Sequence, residues 1–88
     1  MIRDSNMFRD AEKDWAALQT WFATEYPYKK SFVPFTVMVD TNGWAAAEVR
    51  VFADADGNLQ MDSDLSPSEF ILSVKKAKGI LYAMAESK

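Results

Sequence analysis

The chain has 88 residues, a mass of 10.0 kDa and a net charge of −3, and its length suits one domain rather than two. Hydrophobic residues make up 49% of it, aromatic residues 14% and charged residues 26%, a globular balance that argues against disorder. Cysteine and histidine are both absent, which excludes disulfides, thiol nucleophiles, thiolate metal sites and imidazole general bases.

An amphipathic helix is predicted over about residues 5–25. Apolar residues recur there at spacings of three and four, which place them on one face of a helix. Pro27 disfavours helical geometry at the residue before it, so the helix should end near Glu25. The apolar stripe consists of Phe8, Ala11, Trp15, Leu18 and Phe22.

The loop at 26–32 combines two tyrosines, two lysines and a phenylalanine, and two interpretations are open. Aromatic and cationic side chains together suit a surface that stacks on bases or binds an acidic peptide. Such residues also cover the open end of a small core, with lysine head groups reaching water. We favour the second interpretation.

Three β-strands are predicted next, at about residues 32–40, 44–53 and 59–63. Apolar residues alternate with other residues in the first two, as in strands with one buried face. An Asn-Gly pair predicts a tight turn between these two strands, and a glycine in an Asp-rich segment predicts the next turn. Pro34 predicts a free edge on the first strand. The pattern indicates an antiparallel meander.

The segment 54–62 has the composition of a calcium-binding loop but not its spacing. With Gly57 at the sixth position, the first and twelfth positions fall on Phe52 and Ser63, which cannot supply the carboxylates of an EF-hand. The segment also joins two predicted strands rather than two helices. We therefore predict a plain turn and no metal site.

A second helix is predicted over about residues 67–86. Ser66 and Glu69 have the spacing of a capping box, with Pro67 at the first helical position. Gly79 lies opposite the apolar stripe and lowers helix propensity. The stripe consists of Phe70, Val74, Ala77, Leu81 and Met84.

The order α-β-β-β-α predicts an α+β fold with a single domain over residues 1–88. Two apolar helix stripes and one apolar sheet face indicate a two-layer sandwich, with both helices on one face of a three-stranded antiparallel meander. The predicted buried residues are Phe8, Trp15, Leu18, Phe22, Phe35, Val37, Val49, Val51, Leu59, Phe70, Val74 and Leu81.

The face of the sheet turned away from the helices, here called the open face, is the main candidate for a binding surface. Alternation gives it several large apolar side chains, and Trp, Phe, Met and Arg are enriched in interface cores. In the alternative, cross-strand neighbours cover one another and the face is only solvated. The residues predicted on this face to bind a partner are Phe32, Met38, Trp44, Glu48, Arg50, Phe52 and Asp62.

Charge is unevenly distributed, since residues 40–69 have a net charge of −6 and residues 70–88 one of +3. The cluster Lys75-Lys-Ala-Lys78 and the order α-β-β-β-α resemble double-stranded RNA-binding domains, which implies phosphate contacts by the second helix. In this chain the cluster lies about two turns inside the helix and follows acidic strands, which repel phosphate. A nucleic-acid interface would use Tyr28, Lys29, Lys30, Lys75, Lys76 and Lys78.

No residue pattern predicts catalysis, because there is no activated nucleophile and, with three glycines, no glycine-rich phosphate loop. We predict no enzyme activity, no catalytic residue, no cofactor and no small-molecule substrate. The chain is instead predicted to bind another protein or to form a homodimer, with nucleic acid as the alternative partner. Small size and acidity suggest a stoichiometric inhibitor, such as a phage or mobile-element accessory protein that blocks a basic site.

Targeting signals are also missing from the sequence. No apolar run reaches the ~18 residues of a membrane span, and no hydrophobic signal segment follows Met1. Together with the lack of cysteine, this predicts a soluble cytoplasmic protein without a membrane partner.

Overall fold

Two helices and three strands form the regular part of the described structure. A computed structural model describes residues 2–26, 29–40 and 46–86, with the side chains of all of these except 2–5 and 29. The elements are α1 (Ile2–Glu25), a short 3-10 helix (Lys29–Ser31), β1 (Phe35–Val39), β2 (Ala47–Ala53), β3 (Leu59–Met61) and α2 (Pro67–Glu86). The predicted α+β class and the order α-β-β-β-α are confirmed.

The strands form one antiparallel sheet in the order β1-β2-β3. Val37 lies opposite Val49 in the β1–β2 register, and Val51 lies opposite Met61 in the β2–β3 register. Alternate residues point to opposite sides of a strand, so one side of the sheet collects the β-branched residues. On this inner side, exposure is 3% or less for Val37, Val39, Val49, Val51 and Leu59.

Both helices pack against the inner side of the sheet and run parallel to each other. α1 packs against β3, and α2 packs against β1 and β2. The rings of Phe8 and Phe70 are 5.3 Å apart near the beginnings of the helices, and those of Trp21 and Tyr82 are 4.7 Å apart near their ends. The helices have the same direction because three antiparallel strands return the chain to the end at which α1 begins. The predicted two-layer arrangement is confirmed.

The predicted capping box begins α2. The Ser66 N–H donates to Glu69 Oε1 at 2.9 Å, and the Glu69 N–H donates to Ser66 Oγ at 3.2 Å. Pro67 then occupies the first helical position, where a backbone N–H would lack a helical partner in any case. Over the residues that the structure describes, neither α1 nor α2 has an apolar stretch long enough to cross a bilayer.

The core fills the space between the helices and the sheet. Phe22 from α1 and Leu81 from α2 are fully buried, as their spacing predicted. Phe8, Phe35 and Phe70 are only half-buried: Phe35 and Phe70 pack against the core from its margin, and the Phe8 ring packs on that of Phe70. The buried residues outside the predicted set are Ala11, Tyr26, Val39, Ser73 and Ala77.

Several element boundaries differ from those predicted. α1 begins at Ile2, about one turn before position 5, because no glycine or proline interrupts that segment. β1 begins only at Phe35, where its pairing with β2 begins. β3 ends at Met61 because the chain then bends toward α2, with Asp64 in a left-handed conformation at a φ of 65°. The predicted Asn-Gly turn and the first residues of the predicted second strand, 44 and 45, lie outside the described residues.

The segment between α1 and β1 closes one end of the core. Tyr26 is 5% exposed, and its ring stacks on that of Phe22 at 4.7 Å. The ring of Phe32 lies 5.1 Å from that of Phe22 and 5.9 Å from that of Tyr26. The interpretation of the loop as a core lid is confirmed for these residues. The prediction that Phe32 lies on the open face is wrong, because Phe32 precedes β1 and strand alternation does not extend to it.

Candidate interaction surface

The open face consists of the residues that alternate with the buried valines. Thr36 and Met38 project from β1 on this side, and Glu48, Arg50 and Phe52 project from β2. The register sets Met38 opposite Glu48 and Thr36 opposite Arg50. Four of the predicted binding residues therefore lie together on one strand-paired surface.

Met38 is the large apolar side chain most open to water among the described residues of the open face, at 49% exposed. Its cross-strand neighbour Glu48 is exposed as well. Methionine is unbranched and polarizable, so it adapts to apolar partners of different shape. An exposed methionine on a paired strand, next to charged residues, is suited to contact with another protein.

Phe52 is less open, because Arg50 lies over its ring. The guanidinium carbon of Arg50 is 4.8 Å from the centroid of the Phe52 ring, within the range of a cation–π contact. Gln60 lies opposite Phe52 across the β2–β3 pair. Phe52 is therefore covered by its neighbours, whereas the Met38 side chain is open to water.

Asp62 lies just beyond β3 and extends the pairing of the strands. Its N–H donates to the Arg50 carbonyl at 3.1 Å, and its Oδ2 accepts from the Arg50 N–H at 2.9 Å. The Asp62 carboxylate thus accepts the hydrogen bond from the Arg50 N–H that a backbone carbonyl would accept in a regular strand pair. Its contribution is to hold β2 and the end of β3 together at the margin of the open face.

Asp54 organises the turn between β2 and β3. Its Oδ1 accepts from the N–H groups of Asp56 at 3.0 Å and Asn58 at 2.9 Å, and its Oδ2 accepts from the Gln60 side chain at 3.0 Å. The hydrogen bond from Asn58, followed by that from Gln60, holds the pKa of Asp54 below the ordinary value of an aspartate. Gly57 completes the turn with a φ of 83°. The predicted plain turn is confirmed.

Acidic side chains do not converge on a metal site in the part of the chain that the structure describes. The acidic residues around the β2–β3 turn include Asp54, whose two carboxylate oxygens accept hydrogen bonds from the turn itself. The Asp54 carboxylate therefore stabilises the turn between two strands.

The loop of the nucleic-acid hypothesis is described only in part. Tyr28 and the side chain of Lys29 lie outside the described residues, and Lys30 is exposed. The described rings of this loop, Tyr26 and Phe32, pack inward on the core rather than outward for stacking. Trp44, predicted on the open face, likewise lies outside the described residues.

The lysines of α2 border a groove along β1. The Lys76 ammonium donates to the backbone carbonyl of Met38. Beside this contact an open groove of about 430 Å³ separates β1 from α2. Its lining consists of Thr36, Val37, Met38, Lys75, Lys76, Gly79 and Ile80. Lys78 is exposed on the same helix but does not line the groove.

Sequence patterns give no signal for this groove, since the Lys76–Met38 contact joins residues 38 positions apart. Gly79 is the exception, because it lines the groove and a glycine inside a helix can indicate that another surface approaches there. The resemblance to double-stranded RNA-binding domains rests on element order and a lysine cluster. The chain matches no family model, and it shows no significant similarity to a curated protein or to a solved structure.

Proposed function

We propose that this chain is a non-catalytic protein-binding domain whose open face binds a second copy of the chain. The observation that carries the proposal is the exposure of Met38, at 49%, on a strand-paired face that also bears Glu48 and Arg50. A large apolar side chain that is half open to water gains free energy when a contact removes it from water.

The charges of the open face are self-complementary. Glu48 and Arg50 project from β2 on the same side, two residues and therefore about 7 Å apart. Two copies related by a two-fold axis between these residues would set each Glu48 against the Arg50 of the other copy. In such a two-fold dimer each contact occurs twice, once for each copy, so few different side chains are needed to form the interface.

The expected complex is weak and reversible. Full burial of an exposed methionine side chain contributes roughly 1.5–3 kcal/mol, and Met38, at 49% exposed, can gain only about half of that. Three short strands also give a small face, of the kind found in transient rather than obligate interfaces. We therefore expect a monomer at low protein concentration and a dimer at high concentration.

Met38→Lys tests the apolar contact. A lysine at this position faces Glu48 across the strands, so the fold should be retained, whereas a dimer would have to bury an added charge. Sedimentation velocity at increasing protein concentration should show a dimer for the wild type and a monomer for the variant. Met7→Lys is the matched control, because Met7 is 45% exposed on α1, and it should dimerise like the wild type. A wild type that stays monomeric, or a dimer that Met38→Lys leaves unchanged, would contradict the proposal.

Charge reversal tests the pairing of Glu48 with Arg50. Glu48→Arg and Arg50→Glu should each weaken self-association, because like charges then face each other across the two-fold axis. An equimolar mixture of the two variants should associate again, as a heterodimer in which every facing pair is opposite in charge. A mixture that associates no better than either variant alone would contradict this geometry.

A further inference from the structure

We propose that the groove between β1 and α2 binds an extended acidic segment of a partner protein as a fourth strand of the sheet. This site goes beyond the proposed function, because it uses the edge of the sheet rather than its open face. Different variants therefore test the two proposals.

Within the described part of the chain, the outer edge of β1 carries backbone groups without strand partners. Arg50 directs its N–H and its carbonyl to Asp62, so the Thr36–Arg50 pair is one of the pairs without hydrogen bonds between β1 and β2. The N–H and carbonyl of Thr36, and those of Met38 two residues on, therefore point away from β2. The Lys76 ammonium bound to the Met38 carbonyl agrees with this orientation.

The two edges of the sheet differ in what they offer to an added strand. β3 has three residues, and Gln19 of α1 donates to the Leu59 carbonyl at 2.8 Å. β1 has five residues, about 17 Å of extended chain, and its outward groups at two positions match the spacing of a paired strand. Extended peptides bind proteins by this kind of strand addition at an open edge.

Gly79 leaves room for the side chains of an added strand. A β-carbon at Gly79 would meet no other group within 4 Å. The groove has a volume of about 430 Å³ and is open to solvent along its length. Ile80, 36% exposed, provides an apolar contact beside this space. A glycine that lowers helix propensity, placed at an open groove, agrees with binding at that position.

The charge of the groove favours an acidic occupant. Its described lining includes Lys75 and Lys76 and no acidic side chain. When an N–H of the added strand donates to the Met38 carbonyl in place of Lys76, the Lys76 ammonium becomes free to bind a carboxylate of that strand. A second copy of the chain is disfavoured, because two-fold pairing of β1 with itself would bring the lysines of both copies together.

Amide hydrogen exchange, followed residue by residue by NMR, tests strand addition. The probe is a synthetic peptide of alternating Glu and Val, about eight residues long and blocked at both ends. It should slow exchange at Thr36 and Met38, whereas Val37 and Val39, whose amides face β2, should exchange slowly with or without it. A peptide of alternating Lys and Val should have no effect. Unchanged exchange at Thr36 and Met38 at every concentration of the acidic peptide would overturn the proposal.

Substitutions on α2 test the groove itself. Lys75→Glu should weaken binding of the acidic peptide about three- to tenfold, and Lys78→Glu, outside the groove, by no more than about twofold. Gly79→Leu should abolish binding by filling the groove, whereas Ala17→Leu, at an exposed position of α1, should have no effect. Equal losses for Lys75→Glu and Lys78→Glu, or full binding by Gly79→Leu, would overturn the proposal.

Three further outcomes separate this site from its alternatives. Retained peptide binding by Arg50→Glu, which weakens the open-face dimer and lies outside the groove, would show that the groove acts independently of that dimer. Protection of Thr36 and Met38 that increases with protein concentration and needs no peptide would make a second copy the occupant. Binding of double-stranded RNA in preference to the acidic peptide, weakened by Lys75→Glu, would make the lysines a phosphate site. Either of the last two results overturns the proposal.

Discussion

The two faces of the sheet are formed by the same strands and differ most in their contact with water at the centre of β1 and β2. On the inner face Val37 and Val49 are at most 3% exposed, whereas on the open face Met38 is 49% exposed. Because alternate residues point to opposite sides, a substitution at one position changes one face and leaves the other intact. Substitutions that test stability and substitutions that test the proposed binding can therefore lie one position apart along a strand.

The largest loss of stability is expected where the helices meet the inner face. Leu18→Ala and Leu81→Ala remove side chains that are 2% and 0% exposed, and each should lower the free energy of unfolding by about 2–5 kcal/mol. Urea denaturation followed by circular dichroism measures this change. Ile80→Ala, at 36% exposure on α2, is the control and should cost about 1 kcal/mol or less. Equal losses at Leu81 and Ile80 would mean that the buried side of α2 is misassigned.

An isosteric exchange in opposite directions compares the two faces directly. Val49→Thr places a hydroxyl on the buried inner face and should lower the free energy of unfolding by about 1–3 kcal/mol. Thr36→Val makes the reverse change on the open face, where Thr36 is exposed. It should change the free energy of unfolding by no more than about 0.5 kcal/mol. Chemical denaturation of both variants tests this contrast. Similar losses from the two exchanges would contradict the difference between the faces.

A smaller, pH-dependent effect is expected at the β2–β3 turn. Hydrogen bonds from Asn58 and Gln60 hold the pKa of Asp54 below its value in the unfolded chain, so the ionised carboxylate stabilises the folded state. That stabilisation is complete above the unfolded-state pKa and is lost as the pH falls through the folded-state pKa. Asp54→Ala should lower the Tm at neutral pH, and the difference from the wild type should shrink below about pH 4.

The control for the turn is Asp56→Ala, because Asp56 contributes its backbone N–H to Asp54 and the substitution retains that donor. Its Tm at neutral pH should stay close to that of the wild type. A Tm difference between Asp54→Ala and the wild type that persists unchanged in acid would show that the carboxylate charge is not responsible.

The smallest effect is a gain in stability at Gly79, on the side of α2 that faces the groove. Alanine is favoured over glycine in a helix by about 1 kcal/mol, and a β-carbon at this position meets no other group within 4 Å. Gly79→Ala should therefore raise the free energy of unfolding by up to about 1 kcal/mol, measured by urea denaturation. A loss of stability would mean that the groove is closed in solution.

Short-range signals predicted much of the fold. The capping box of Ser66 and Glu69 and the alternation around Val49 depend on residues a few positions apart, and the structure confirms both. Phe32 shows where such reasoning fails, since its side of the sheet could be predicted only with knowledge of where β1 begins. Pairing with β2 decides that boundary, and pairing joins residues distant in the sequence.

The candidate surfaces were predictable to different degrees. Alternation placed Met38 and Phe52 on the same face, but it could not tell that Phe52 is covered and Met38 is not. The difference arises because Arg50 folds over Phe52, and the rotamer of a long side chain depends on the neighbours it meets. The sequence thus predicted which residues lie on the open face, but not how exposed each of them is.

The sequence by itself determined the elements, their order and the buried side of each, because helical and strand periodicities record which side of an element is apolar. Only the tertiary structure decided that Lys76 reaches the Met38 carbonyl and that Gly79 lies beside the free edge of β1. These contacts follow from the position of α2 on the sheet. That position is set by the packing of the whole core, in which side chains from both helices and all three strands must fill the same space.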